Sequence, residues 1–306
     1  LKETTDGLTT DGFDKLDKNT SYLYISNHRD IVLDTSLTNV VMYDKDLIMT
    51  SSAIGDNLVQ QEFLLAFSKL SRNFLVKRSL TPREMLMSSI NLSKYISHLL
   101  EDENRSIWLA QREGRTKDGN DITHQGILKM LTLGKERGTD NLEHLKTLKI
   151  VPLSISYEYD PTDYLKMPAL LASYYDQEYV KTKNEDFNNI MTGVLGHKKR
   201  VHISAGDIIN PEIDLIAQNA GSANEQLQQV AKCITEKIHQ QYKLWPSNYI
   251  AHDMLYNTDE FSDKYTVAER NTFAKRVAKK TDIDNEIVIK KFLAMYAYPV
   301  LNKKGL

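Results

Sequence analysis

A histidine and two aspartates lie close together in the sequence, at His28, Asp30 and Asp34. They follow the apolar run 22–26, which is typical of a strand, and precede a helical pattern. A carboxylate at such short spacing can hold an imidazole in one tautomer and make it a better base. The chain has no G-x-S-x-G motif for a serine nucleophile, so the substrate would have to bring the hydroxyl. A helix N-terminus capped by aspartates, with an incidental histidine, would explain the same residues.

Two basic clusters follow two other strand-like runs of the chain. Lys77 and Arg78 stand at the end of the apolar sequence that starts at 73, and the second cluster follows the run 105–110. That second cluster consists of Arg112, Arg115 and Lys117. Carboxyl ends of parallel strands meet at one edge of a sheet, so both clusters should face the same edge as His28. The sequence therefore predicts a phosphate pocket beside a proton acceptor, although cations at strand ends are often only solvated surface.

Apolar runs alternate with helical patterns over residues 20 to about 210. This rhythm predicts an α/β fold with a mostly parallel sheet covered by helices on both faces. The predicted strands are 22–26, 46–50, 73–77, 105–110, 149–158 and 200–205. The predicted helices are about 32–43, 56–70, 82–102 and 125–137. The clearest helix start is at Thr81, which has Glu84 at the spacing of a capping box.

From about residue 211 the chain shows only helical patterns. They cover 211–243, 248–257, 265–280 and 283–297. We therefore predict two domains, an α/β domain at 1–210 and an all-helical C-terminal extension at 211–306. The chain opens on Leu1 and a polar stretch, and we interpret it as a fragment of a longer protein.

The composition excludes several classes of protein. The 306 residues carry 39 Lys and Arg against 41 Asp and Glu, a net charge of −2, which argues against general nucleic-acid binding. The lone Cys233 excludes an intrachain disulfide framework and fits a reducing compartment. No charge-free run reaches about 18 residues, so we expect no membrane-spanning helix. Neither HExxH nor CxxC occurs, and His197 and His202 lack partners at ligand spacing, so we expect no metal site.

Four blocks of the sequence, taken in order, resemble the glycerolipid acyltransferases, which acylate glycerol-3-phosphate or lysophosphatidate. The blocks are N-H-R-D-I-V-L-D at 27–34, F-L-V-K-R at 74–78, Q-R-E-G-R-T-K at 111–117 and I-V-P-L-S-I-S-Y at 150–157. The first block of the family has its aspartate at the position held here by Leu33, so Asp34 or Asp30 would replace it. We expect Asp34, because Asp30 stands next to the expected helix N-cap.

The resemblance implies transfer of a fatty acyl group from acyl-CoA or acyl carrier protein to the hydroxyl of a glycerol phosphate or lysophospholipid. His28 would be the general base, and Asp34 or Asp30 would orient it. The residues implied to bind substrate are Arg29, Lys77, Arg78, Arg112, Glu113, Gly114, Arg115, Thr116, Lys117 and Pro152, the last of them beside the acyl donor. The resemblance implies no cofactor.

The implied product is a lipid, but we expect no membrane-spanning helix in the chain. We therefore predict a peripheral enzyme at the cytoplasmic, inner face of a membrane, with the membrane surface as a partner. Segments 61–67 and 167–171 would line an acyl trough or rest on lipid, although ordinary core helix explains them better. Two other functions stay open. One is a non-catalytic module that binds anionic lipid through the same cations, and the other is an O-acyltransferase whose acceptor is a lyso-aminolipid.

Overall fold

The computed structural model describes residues 3–59, 62–77, 80–219, 221–282 and 284–305. Within these ranges seven strands form one sheet. They are β1 (Gly7–Asp11), β2 (Leu23–Ser26), β3 (Thr50–Gly55), β4 (Phe74–Val76), β5 (Ser106–Ala110), β6 (Ile150–Tyr157) and β7 (Arg200–Ala205). Their order across the sheet is β1-β7-β6-β2-β5-β3-β4, and neighbouring strands are parallel except for β6 and β7. The predicted α/β fold with a mostly parallel sheet is confirmed.

Helices connect the strands and continue after the last of them. They are α1 (Leu33–Asp44), α2 (Glu62–Leu70), α3 (Pro82–Glu101), α4 (Gln125–Thr132), α5 (Asn141–Thr147), α6 (Asp163–Tyr174), α7 (Glu185–Leu195), α8 (Asn210–Gln218), α9 (Ala223–Gln241), α10 (Pro246–Tyr256), α11 (Val267–Lys280) and α12 (Glu286–Lys304). In the described part of the chain, no helix combines the length and the apolar character needed to cross a membrane.

Alternation along the central strands divides the core between the two faces of the sheet. On β2, Leu23 and Ile25 belong to the hydrophobic cluster of one face, and Tyr24 belongs to that of the other. The first face is covered by α3, α4, α5, α8 and α9, and the second is covered by α1. The prediction that helices cover both faces is therefore confirmed.

The region after β7 contains helices and no strand among its described residues, which confirms the predicted all-helical character. α8 and α9 pack on the sheet in the same cluster as β2 and β5, through residues such as Ile213 and Ile234. α10, α11 and α12 form a separate hydrophobic cluster with α6, built around Phe273, Phe292 and Tyr296. The domain boundary at 210/211 stays a prediction, although the first two helices beyond it contribute to the core of the sheet.

Two strands lie where the sequence pattern does not place them. β3 starts at Thr50, whereas the prediction has a strand at 46–50. The chain turns at Asp46, where φ is 58°, and Leu47 packs in the same cluster as α1. β3 itself, TSSAIG, begins with small polar residues, and β1, GLTTD, contains a single apolar residue. Neither strand therefore has the apolar pattern that marks a strand in a sequence.

Two predicted helices are longer than the observed ones. α2 begins at Glu62 rather than at 56, and a short 3-10 helix at Asp56–Leu58 precedes it. α4 ends at Thr132 rather than at 137. The separate helix α5 then starts after Asp140, whose carboxylate accepts two backbone N–H groups of the first turn.

The predicted helix 211–243 is divided into α8 and α9. Ser222 starts α9 with a capping box, in which its hydroxyl accepts the Glu225 N–H at 3.3 Å and the Glu225 carboxylate accepts the Ser222 N–H at 2.8 Å. The same spacing marks the start of α3 at Thr81, where the predicted capping box is confirmed. The start of α9 was therefore predictable from the same capping-box spacing, between Ser222 and Glu225.

Candidate functional site

The His28 turn, residues 27–32, connects β2 to α1 at the carboxyl edge of the sheet. Asn27 begins the turn, and its side chain takes the place of a backbone unit in the sheet. Its Nδ2 donates to Ile155 O at 2.9 Å, and its Oδ1 accepts the Ile155 N–H at 2.8 Å. These two bonds attach the turn to β6 beyond the end of β2. The sheet therefore sets the position of the next residue, His28.

Asp34 holds the imidazole of His28. His28 Nδ1 lies 2.8 Å from Asp34 Oδ2, and because a carboxylate only accepts, Nδ1 carries the proton and Nε2 the lone pair. The backbone N–H groups of Arg29 and Asp30 donate to the same oxygen at 2.6 and 3.0 Å. Tyr157, at the end of β6, donates its hydroxyl to Asp34 Oδ1 at 2.7 Å. The buried Asp34 side chain thus meets four donors, which fix its position.

The second nitrogen of the His28 ring is open. The ring is partly exposed and packs edge-on against Trp108 of β5, with ring centroids 5.3 Å apart. No hydrogen bond from the described residues engages Nε2, and none of their serine, threonine or cysteine side chains is bonded to it. The arrangement can accept a proton at Nε2 from a hydroxyl that a ligand brings, and Asp34 would stabilise the imidazolium.

Asp30 has a different environment from Asp34. Its Oδ1 accepts the N–H groups of Val32 and Leu33 at 3.0 and 2.9 Å, so it caps the first turn of α1. Its Oδ2 is buried without a hydrogen-bond partner in the described ranges. Burial, and then the charge of Asp34, raise the pKa of Asp30. The structure therefore brings Asp34 rather than Asp30 to His28.

The loop after β5, residues 111–117, lies against the His28 turn. The Thr116 N–H donates to His28 O at 2.8 Å. Gly114 has a φ of 70°, and a Cβ at this position would meet no atom within 4 Å, so the backbone conformation, not space, requires glycine there. The loop therefore brings the residues on either side of Thr116 close to His28.

Four cations gather at this loop and form what we call the cation pocket. Its members are Arg112, Arg115, Lys117 and Lys181. Burial, and then the charges of Arg115 and Lys181, lower the pKa of Lys117. Lys181 comes from the segment between α6 and α7, which sequence reasoning does not connect with the site. Tyr179, from the same segment, has its ring centroid 5.1 Å from Lys117 Nζ.

The positive charge of the cation pocket is partly compensated, because the charge of Glu185 acts on Lys117 and the charge of Asp30 acts on Arg115. Arg115 donates to neutral oxygens, to Thr162 Oγ1 at 3.4 Å and to Asn189 Oδ1 at 3.0 Å. In the described part of the chain, Lys181 is the only member in an ion pair, with Asp186 at 2.7 Å. Arg115 and Lys117, which are in no ion pair with a described residue, are therefore the candidates to bind an anion.

Arg29, which is predicted to bind substrate, is not part of the cation pocket. Its buried guanidinium donates to Asp121 Oδ2 at 2.5 Å and to Gly119 O at 3.3 Å, and it lies 5.7 Å from the ring centroid of Tyr242. The same Asp121 oxygen accepts a hydrogen bond from Asn27 at 3.2 Å. Arg29 therefore fixes the chain around 119–121 to the His28 turn, and its charge is already balanced by Asp121.

The second sequence block lies far from His28. Lys77 is exposed at the end of β4, which is three strands from β2, a separation of about 14 Å at the usual strand spacing. Arg78 lies outside the described residues. Glu113, predicted to bind substrate with the 111–117 loop, is exposed on that loop.

Pro152 does not reach the site. It is the third residue of β6 and the register partner of Ile25, so it lies in the middle of the sheet and not at the carboxyl edge. Its side chain is buried, and its carbonyl oxygen accepts the Gly206 N–H at 2.9 Å. The ring of Pro152, which is predicted to contact an acyl donor, is therefore part of the protein interior.

The two segments considered for an acyl trough have different outcomes. Segment 167–171 is core helix, since Met167 and Ala169 are buried and the leucines beside them pack in the cluster of α10 to α12. Segment 61–67 lies partly outside the described residues. The structure therefore assigns no trough to α6.

A buried network connects the C-terminal helices with the His28 turn. Lys166 of α6 donates from Nζ to Arg29 O at 3.0 Å and pairs with Asp160. Asp163, at the start of α6, accepts hydrogen bonds from Arg276 of α11 at 2.7 Å and from the Tyr296 hydroxyl of α12 at 2.8 Å. The last helices of the chain thus hold α6, and α6 holds the backbone next to His28.

Comparison with known proteins adds no relative. No family model matches the chain, and a search of curated proteins finds no match. The described residues contain no group of three or more His, Cys, Asp or Glu side chains that could hold a metal ion. The function is therefore inferred from the geometry of the site.

Gly193 of α7 packs directly on the His28 turn. A Cβ at Gly193 would lie 2.1 Å from Asp30 Oδ2, whereas a Cβ at Gly126, also helical, would meet nothing within 4 Å. We expect Gly193→Ala to lower the free energy of unfolding by about 1–3 kcal/mol through this clash. Gly126→Ala should raise it by about 0.4–1 kcal/mol, since alanine restricts the unfolded chain. Urea denaturation of both variants measures the difference, and equal effects would contradict the packing of α7 on Asp30.

Proposed function

We propose that this chain is an O-acyltransferase. It moves a fatty acyl group from acyl-CoA or acyl carrier protein to the hydroxyl of a glycerol phosphate or lysophospholipid. The observation that carries the proposal is the open Nε2 of His28, held from behind by Asp34 and placed beside the cation pocket. A proton acceptor next to an anion site fits an acceptor that carries both a hydroxyl and a phosphate.

The surroundings of His28 support a direct transfer between the two substrates. An imidazole paired with a buried carboxylate is the basic half of a catalytic triad. The serine or cysteine that would complete a triad is not hydrogen-bonded to His28 Nε2 in the described part of the chain. The hydroxyl that His28 activates therefore belongs to the acceptor in this proposal.

The reaction proceeds in two proton transfers. His28 Nε2 removes the proton of the acceptor hydroxyl as its oxygen attacks the carbonyl carbon of the thioester. The tetrahedral intermediate then collapses, the C–S bond breaks, and the leaving thiolate takes the proton from the imidazolium. Asp34 stabilises the imidazolium between the two transfers. The products are an ester and a free thiol, and no acyl-enzyme forms.

The cation pocket binds the phosphate of the acceptor in this proposal. Arg115 can present a planar fork to the phosphate oxygens, and Lys117 adds a point charge. Both residues flank Thr116, whose backbone bonds the carbonyl of His28. Phosphate held there would place the hydroxyl of the same molecule within reach of Nε2, and such positioning lowers the barrier further.

We also propose that the protein works at the cytoplasmic, inner face of a membrane. The acceptor and the product are lipids, while acyl-CoA and acyl carrier protein are offered from the aqueous side. A peripheral protein that contacts the bilayer surface can meet both substrates.

Release of free thiol tests the proposed function. Purified protein is supplied with acyl-CoA or acyl carrier protein and with a panel of acceptors: glycerol-3-phosphate, lysophosphatidate and a lyso-aminolipid. We expect thiol release with a phosphorylated acceptor, matched by the ester product. Release with the lyso-aminolipid alone would select the other acceptor class. Binding of anionic lipid without thiol release from either donor would contradict the proposal and support a non-catalytic lipid-binding module.

Substitutions in the cation pocket should act on the acceptor. We expect Arg115→Met and Lys117→Met each to raise the KM for the acceptor about 10–100-fold, the effect of losing a charge-assisted hydrogen bond. The KM for the acyl donor should stay unchanged. Arg137→Met is the matched control, because Arg137 is an exposed cation on the connection between α4 and α5. If the KM for the donor rose instead, the cation pocket would belong to the donor.

A further inference from the structure

The first two turns of α3 have no buried face. We call residues 81–87 the α3 tip, and every one of them is exposed. Three consecutive residues of the tip, Met85, Leu86 and Met87, are apolar and are 56%, 51% and 53% exposed. A helix that packs on its own protein buries one face. Scattered single apolar side chains are normal on a surface, but a contiguous apolar patch marks an interaction site.

A groove continues the apolar surface of the α3 tip. It has a volume of about 490 Å³, lies between α3 and the edge strand β4, and includes Phe74, Leu75 and Tyr95 in its wall. Met87 belongs to the tip and also lines the groove. Leu75, on β4, is itself 47% exposed. The apolar surface therefore runs from the tip along the edge of the sheet.

Positive charge accompanies this apolar surface. Arg83 on the tip and Lys77 in the groove are exposed, and neither is in an ion pair with another described residue. Glu84, the acid of the tip, is engaged in the capping box, where it accepts hydrogen bonds from the Thr81 hydroxyl and N–H at 2.6 and 2.9 Å. Hydrogen bonds from Thr81, and then the charge of Lys77, lower the pKa of Glu84, so Lys77 is partly compensated and Arg83 is the cation that the tip presents beside its aliphatic side chains.

The α3 tip and the His28 turn lie at the same edge of the sheet. The chain leaves β4 at Val76 and enters α3 at Pro82, so the tip follows the carboxyl end of a parallel strand. The His28 turn follows the carboxyl end of β2 in the same way. A surface that docks at the tip would therefore face the edge that carries His28.

We propose that the α3 tip is the surface by which this protein docks on an anionic bilayer. Met85, Leu86 and Met87 insert at the boundary of the acyl chains, and Arg83 and Lys77 contact the anionic headgroups. Exposed aliphatic residues combined with cations are the composition of interfacial helices. The proposal rests on the proposed function, because a lipid acceptor would then enter from the bilayer at the edge that carries His28.

Charge favours a bilayer over a second copy of the chain. Two tips that met in a symmetric dimer would bring Arg83 of one copy towards Arg83 of the other, and like charges oppose such pairing. An anionic lipid surface instead attracts Arg83.

Co-sedimentation with vesicles tests the proposal. The 306-residue protein is mixed with vesicles of phosphatidylcholine and phosphatidylglycerol, and with vesicles of phosphatidylcholine alone. We expect Met85→Ser/Leu86→Ser to lower the partition onto the mixed vesicles at least about tenfold, since two aliphatic side chains no longer enter the lipid. Arg83→Glu should reduce binding to the mixed vesicles and leave binding to the neutral vesicles unchanged. The matched control is Leu215→Ser/Val267→Ser, two apolar residues that are 62% and 76% exposed elsewhere.

The outcomes separate the docking surface from the proposed function. Turnover of a water-soluble, short-chain acceptor should be the same for Met85→Ser/Leu86→Ser and for the wild type. An unchanged vesicle partition of this variant, or an equal loss in the Leu215→Ser/Val267→Ser control, would overturn the docking surface while leaving the acyltransferase activity in place. A change confined to oligomeric state without vesicles, or to binding of an acidic protein, would overturn it as well.

Discussion

Replacing His28 by alanine should lower the turnover number of acyl transfer about 10²–10⁴-fold and leave the fold intact. The imidazole is the group whose Nε2 is open to a ligand. Asp34 behind it keeps three other donors, two backbone N–H groups and the Tyr157 hydroxyl. Removing the ring therefore removes the base without leaving a buried carboxylate unpaired. Steady-state kinetics at saturating donor and acceptor measure the loss.

The control for this variant is a histidine of the surface. His124 is exposed, and its side chain does not cap the helix that it precedes. His124→Ala should keep full turnover, and thermal denaturation should show both variants folded. Added imidazole should restore part of the activity of His28→Ala, which a purely structural role would not allow. Turnover of His28→Ala above about one tenth of the wild-type value would exclude His28 as the general base.

Replacing Asp34 by asparagine should lower turnover about 10²-fold or more with little loss of stability. The amide keeps the shape of the carboxylate, so its oxygen can accept from His28 Nδ1 and the two backbone N–H groups. Its NH₂ can donate to the Tyr157 hydroxyl, which is then the acceptor. The amide has no charge, however, and does not stabilise the imidazolium that forms in the transition state. Turnover and urea denaturation, measured side by side, separate these two effects.

The matched variant is Asp30→Asn. Asparagine caps a helix about as well as aspartate, so turnover should stay within a few-fold of the wild type. Because burial and Asp34 raise the pKa of Asp30, its contribution to stability is complete below the unfolded pKa of about 3.9 and is lost as pH rises through the folded value. We therefore expect the Tm of the wild type to fall as pH rises through this range. The Asp30→Asn variant should not show this fall. If Asp30→Asn were inactive while Asp34→Asn turned over, Asp30 would be the partner of His28.

The fold was predictable where sequence signals are local. The capping box at Thr81 places the start of α3, and apolar runs place β2, β5, β6 and β7 within a residue or so. β3 was not predictable in this way, because Thr50, Ser51 and Ser52 are buried small polar residues whose place in the sheet depends on pairing with the distant strand β5. Tertiary pairing, not local pattern, makes this segment a strand.

The site was predictable only in part for the same reason. His28 and Asp34 stand six positions apart, so their contact could be inferred from spacing. Tyr157 donates to Asp34 from 123 positions away, and Lys181 joins the cation pocket from a segment that carries no motif. Arg29 shows the converse, because it stands next to His28 in the sequence but pairs with Asp121. Neighbouring residues on a turn can point to different surroundings.

Sequence signals existed for some of the residues that were missed. Tyr157 ends a strand of the sheet whose carboxyl edge carries the site, and a polar side chain at that position is a candidate for the site. Asn27 precedes His28 at the end of β2, where its amide bonds Ile155. Lys166, which bonds the carbonyl of Arg29, lies in an apolar helix, where a lysine has to find a buried partner.

The claim that His28 activates a hydroxyl of the acceptor is tested most directly by rapid mixing of stoichiometric protein with its acyl donor. Thiol release is followed before and after the acceptor is added, and the single thiol of Cys233 is measured in a blank. The account predicts no thiol release beyond the blank without acceptor, and one thiol for each ester formed once acceptor is present. A burst of one thiol per protein before the acceptor is added would contradict it, because the acyl group would then have passed to the protein.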